Sequence, residues 1–162
     1  MFVLLDSNVW LAALARDGIC RRVVELSAAS CTPVVTPLKL VRYPRSLAPA
    51  LVALPSMSLI PLTPFICAEV RDKLLTKFQR TEEQANELVS QLISVSLLRD
   101  DVGEISSPLR DPNDNPILGA AVAYHCELLV TGDDDLLELK SFSGVEIVSV
   151  RAFAERLGLK ID

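Results

Sequence analysis

A chain of 162 residues, half of them apolar, is long enough for a single domain with a sizeable core, and its positive mean hydropathy excludes global disorder. No apolar run reaches the ~20 residues of a spanning helix, the N-terminus lacks a basic n-region, and Asp6 interrupts its apolar start. No membrane contact and no signal peptide are expected, and the chain reads as cytoplasmic. The net charge of −5 excludes a nucleic-acid binder that works by charge alone. A polyanionic partner would require some carboxylates to be neutralised by cations.

The first element is the apolar run "FVLL", which reads as a buried strand ending in Asp6. "NVWLAALA" and "GICRRVVELSAA" then read as two helices, an order that favours a parallel α/β sheet. Residues 31–62 differ in character, because six of the ten prolines fall there. Proline blocks helix interiors and central strands, so short extended pieces and an irregular excursion are expected. Thr63 and Pro64 have the form of an N-cap followed by a first helical residue. The helix after them has Phe65, Val70, Leu74 and Phe78 close to one face. Thr81 and Gln84 are set as the capping box of the next helix. A Pro/Asp/Asn loop leads into a helix at Asn115 or Pro116. Leu128–Thr131 is a strand, followed by an acidic turn and a short helix. "VEIVSV" is a last strand, and Ser149 and Gly158 mark the start and stop of a terminal helix.

The four cysteines, Cys20, Cys31, Cys67 and Cys126, form no C-x-x-C pair, and His125 is the only histidine. They read as reduced, mostly buried thiols. His125 and Cys126 are sequence neighbours, which rarely face each other, so thiol catalysis is not expected.

The carboxylates carry the chemistry. Asp6 follows the first strand, Asp133 follows the "LLVT" strand, and Asp111 and Asp114 lie in the loop that opens a helix. Ligand sites of open parallel sheets gather beyond the carboxyl ends of the strands, so Asp6 and Asp133 meet if their strands are neighbours. Two unit charges ~4 Å apart repel by roughly 4 kcal/mol at an effective dielectric near 20. A cluster therefore needs protonation, basic partners or divalent cations. Oxygen-only ligands suit Mg2+ or Mn2+, and the chemistry such ions support on phosphates is phosphodiester hydrolysis. Taken singly, Asp6 and Asp133 read as helix caps, "GDDDLL" as a solvated turn, and "DPNDNP" as an Asx turn.

In chain order, "DSNVWLAAL", "TPFICAEVRDKLLTKF", "RDPNDNPILGAAV" and "LLVTGDDDLL" resemble the PIN-domain family, and most closely its branch described as toxin components of toxin–antitoxin systems (VapC-like ribonucleases). The resemblance covers residues 1–30 and 63–155. It implies a single PIN-like α/β/α sandwich over 1–162 around a central parallel sheet, with a proline-rich insertion at about 31–62. It implies a Mg2+- or Mn2+-dependent single-strand ribonuclease that uses a metal-activated water and is held in check by an antitoxin protein, with a homodimer as a family-level expectation. The family's acids fall on Asp6, Glu69, Asp114 and Asp133, which would be both catalytic and metal-ligating. Asn8 and Thr131 would support them, with Asp111 and Asp135 in an orienting or a structural role. Glu69 is promoted by the resemblance alone; by itself it is a charged residue on an amphipathic helix.

Arg71, Lys73, Lys77 and Arg80 read as a solvated helix face, and under the ribonuclease reading some of them meet RNA phosphates. The insertion lengthens the Asp6-to-Glu69 spacing beyond the family's usual. It carries Lys39, Arg42 and Arg45 around Tyr43, a basic and aromatic set suited to single-stranded RNA. The same segment suits an antitoxin or subunit surface, or has no role. Two competitors stand beside the nuclease. A phosphate-accepting signalling domain would need a lysine at the end of a late strand, and "VEIVSV" supplies none. The other is a catalytically idle PIN-like binding module whose insertion displaces the metal site.

Overall fold

The computed structural model describes residues 2–15, 18–30, 60–94, 96–100, 105, 109 and 112–159. Strand β1 (Val3–Leu5) leads into helix α1 (Ser7–Ala15), and α2 (Ile19–Ser30) follows. Strand β2 (Pro61–Leu62) precedes α3 (Pro64–Thr76), α4 (Glu82–Ser94) and strand β3 (Leu97–Leu98). A 3-10 turn (Pro112–Asp114) opens α5 (Asn115–Ala123), which leads to β4 (Leu128–Thr131) and α6 (Asp134–Leu139). Strands β5 (Ser141–Phe142) and β6 (Val145–Ser149) and helix α7 (Val150–Arg156) complete the described fold.

The main sheet has the order β1-β4-β6-β5. β1 and β6 both run parallel to the central β4, with Leu5 opposite Val130 and Thr131 opposite Ser149. β5 is antiparallel to β6 at the edge. Every residue of β1 and β4 is buried, the continuous apolar pattern of parallel strands covered on both faces. The result is a parallel-dominated α/β/α sandwich, as expected. Trp10, Phe153, Leu4, Leu5 and Leu129 are among the fully buried side chains of its core. Each such side chain contributes roughly 1.5–3 kcal/mol by leaving water.

The local signals hold at the helix ends. The Thr63 hydroxyl accepts from the backbone N–H of Ile66 at 3.3 Å, with Pro64 in the first helical turn. Thr81 and Gln84 exchange the two bonds of a capping box. The Ser149 hydroxyl accepts from the Ala152 N–H, and Gly158 takes a φ of 75° just past α7.

Four features differ from the sequence reading. The buried stripe of α3 is Ile66, Val70 and Leu74; Phe65 is half-buried, and Phe78 lies beyond the helix end. The two-residue strands β2 and β3 pair in parallel with each other, a second small sheet. β5 and β6 form a hairpin through Ser143 and Gly144, both at positive φ. Such a loop matches the twist of its strands. Of the three cysteines described, only Cys126 is buried; Cys20 and Cys67 are half-buried. Cys31 and the basic set Lys39, Arg42 and Arg45 lie outside the described residues, as does Asp111.

Candidate functional site

Parallel pairing of β1 with β4 brings the ends of both strands to one edge. The Asp6 N–H continues the ladder by donating to the Val130 carbonyl at 3.0 Å. The Asp6 carbonyl then accepts from Val9 and Trp10, which starts α1. Its backbone is thus fixed from both sides, and the carboxylate is left to interact with side chains.

Three donors reach that carboxylate. The Thr131 hydroxyl donates to Oδ2 at 2.8 Å, the Ser7 hydroxyl to Oδ1 at 3.1 Å, and Asn8 Nδ2 to Oδ2 at 3.4 Å. Asp6 is only 2% exposed. Burial pushes its carboxyl above the ordinary value, and the Thr131 hydrogen bond opposes that. The negative charge of Glu69 raises it further, while Ser7 and the positive charge of Lys73 pull it back. Glu69 is therefore an electrostatic neighbour of Asp6, although 62 positions separate them in a chain interrupted by the proline-rich segment. Packing of α3 against α1 produces this closeness.

Glu69 sits one turn before Lys73 on α3, and Lys73 Nζ lies 2.5 Å from Glu69 Oε1. The same ammonium donates to Asn8 Oδ1 at 3.1 Å. Glu69 Oε2 is buried and has no hydrogen-bond partner among the described residues. A buried acceptor left unmatched costs about 1–3 kcal/mol, and more when charged, so this oxygen marks a place where a cation would be stabilising.

The other expected acids lie at helix starts. Asp133 caps α6, its Oδ1 accepting from the N–H groups of Asp135 at 2.9 Å and Leu136 at 3.4 Å. Its own N–H donates to the Thr131 hydroxyl at 3.0 Å, so it is tied to the site through Thr131. Asp135 lies in the first turn of α6. Asp114 precedes α5 and makes no side-chain capping bond to it. Among the described residues no three Asp, Glu, His or Cys side chains form a metal-holding group. Of the four expected acids, Asp6 and Glu69 interact electrostatically, with Thr131 and Asn8 bonded to Asp6, and Asp133 joins Asp6 through Thr131.

Two residues take parts that the sequence reading did not give them. Ser7 supports Asp6, a role signalled only by a hydroxyl next to an acid at a strand-to-helix junction. Lys73 pairs with Glu69 in the helical i,i+4 spacing, a local signal present in the sequence. Arg71 is engaged with α4, its guanidinium reaching Glu82 and Asn86 at 2.8 Å each. Lys77 and Arg80 are exposed. Burial pushes the Cys126 thiol up to about 12, which removes the thiolate that nucleophilic chemistry needs. Among the described residues no helix is long and apolar enough to cross a membrane.

Residues 2–135 match the family model of the PIN domain. No curated protein and no solved structure matches the chain.

Proposed function

This chain belongs to the PIN-domain family, and on that premise we propose that it is a divalent-metal-dependent single-strand ribonuclease. PIN domains are generally nucleases and typically use divalent metals. The observation that carries the reading here is the buried Asp6 beside Glu69, whose Oε2 is buried without a partner among the described residues. These oxygens fit a hard cation. Mg2+ is bound through one or two carboxylates, several waters and substrate phosphates, and so requires no all-protein cage. Asp6 and Glu69 would hold Mg2+ or Mn2+.

When bound, the ion supplies an acidified water and stabilises charge developing on phosphorus. The chain's own residues set the geometry. Thr131, Ser7 and Asn8 fix the Asp6 carboxylate from three directions. Asp133 orders the Thr131 hydroxyl through its N–H. In this reading Asp114, at the start of α5, and Asp133 are the further acids of the site, and Asp135 supports them. In the overall reaction a water oxygen bonds to phosphorus, the bond to the leaving ribose oxygen breaks, and that oxygen takes up a proton.

A cation held by Asp6 and Glu69 would also let a chain of charge −5 act on a polyanion, by offsetting the site's negative charge. Within the family the resemblance favours the toxin branch, so a protein antitoxin and a homodimer belong to this reading. The test is cleavage of a single-stranded RNA pool with Mn2+, with EDTA, and with Glu69→Gln. Cutting is expected to require the metal and to be lost in the variant. Absence of cutting by the folded wild-type chain with Mn2+ would favour an idle binding module instead.

A further inference from the structure

Among the described residues, Lys73 is the cation joined to both halves of the site. Its ammonium contacts Glu69 Oε1 at 2.5 Å and Asn8 Oδ1 at 3.1 Å, and the Asn8 amide in turn donates to Asp6. It is half-buried, as is Glu69. A lysine ammonium is a compact charge on a flexible four-carbon stem, able to leave one acceptor for another. Beside this carboxylate pair it supplies one positive charge where a divalent ion would supply two.

We propose that Lys73 is a built-in counter-cation of the site: it neutralises the Asp6–Glu69 pair when no divalent ion is present, and must swing away for one to bind. The proposal rests on the reading that this pair holds the divalent cation. Its force comes from the charges. A divalent ion and an ammonium about 6 Å apart repel enough to cost about tenfold in affinity, even with the screening of bulk water. The lysine therefore lowers the site's affinity and makes occupancy depend on the free metal concentration. The i,i+4 spacing on α3 keeps the ammonium in reach of Glu69 throughout, so the exchange needs only side-chain rotation.

The test is calorimetric titration of the full chain with MnCl2, for wild type, Lys73→Gln, Lys73→Met, Lys73→Arg and Asp6→Asn, with melting curves in EDTA. Lys73→Gln and Lys73→Met are expected to bind Mn2+ about tenfold or more tightly than wild type. Both should melt lower than wild type in EDTA, yet show a larger metal-induced rise. Lys73→Arg, which keeps the charge, should stay close to wild type. A lysine that only braces α3 would lower the melting temperature and leave the Mn2+ affinity unchanged. Unchanged or weaker affinity in the neutral variants, with wild type binding and Asp6→Asn not, overturns the role of Lys73 and leaves the metal site standing. No Mn2+ binding by wild type or any variant, or wild-type affinity in Asp6→Asn, overturns both.

Discussion

The Thr131 hydroxyl donates to Asp6 Oδ2 at 2.8 Å while its oxygen accepts from the Asp133 N–H at 3.0 Å, so one side chain couples the ends of β1 and β4. Thr131 is fully buried. Replacing it with the isosteric valine leaves a buried carboxylate oxygen and a backbone N–H short of a partner. Thr131→Val should lower stability by about 1–3 kcal/mol in urea unfolding, and Thr131→Ser by much less. Equal losses in both would locate the cost in the methyl group rather than in the hydrogen bonds.

Asp6 makes the metal-free fold sensitive to pH. Its carboxyl is raised in the folded chain, chiefly by burial, above the value of about 3.9 for an unfolded aspartate. Below the unfolded value both states hold the proton, and the cost of burying a charge is absent. As pH rises through the folded value, the folded state holds the proton that the unfolded chain has already released, so stability falls. The window runs from the unfolded value up through the raised one, and each pH unit across it costs about 1.4 kcal/mol. In EDTA, Asp6→Asn should flatten this descent and be more stable than wild type at neutral pH. Chemical unfolding at several pH values reads this directly. A wild type at least as stable as the variant at neutral pH would contradict it.

Cys126 should be chemically silent. Its thiol, pushed up to about 12 by burial, exposes no thiolate at neutral pH. A thiol reagent added to native protein is expected to leave it unmodified and to label it once the chain is unfolded, as peptide mass analysis would show. RNA cleavage should survive Cys126→Ala.

What could be read from the sequence was local. Thr63 with Pro64, the Thr81–Gln84 box and the Ser149 cap each depend on residues within one helical turn, and all three formed. β1 and β4 were legible because doubly covered strands are apolar throughout. The two-residue strands β2 and β3 were not, since so short an element has no period to read. The Ser143–Gly144 turn offered a composition cue that the more prominent strand after it overshadowed. At the site, the meeting of Asp6 with Glu69 depends on α3 packing on α1, a long-range contact that no spacing rule supplies. The resemblance named Glu69, yet gave no sign that Lys73 would turn inward onto it; the Asp133 cap of α6 was the reading of that acid taken singly.

Everything proposed for the site depends on the Asp6–Glu69 pair holding a divalent cation. Anomalous diffraction from crystals of the wild-type protein grown with MnCl2 decides this. A manganese peak is expected, bonded to carboxylate oxygens of Asp6 and Glu69, with Lys73 Nζ withdrawn from Glu69 Oε1. A pair left empty, with Lys73 still on Glu69 in crystals whose manganese occupies another position, would contradict it.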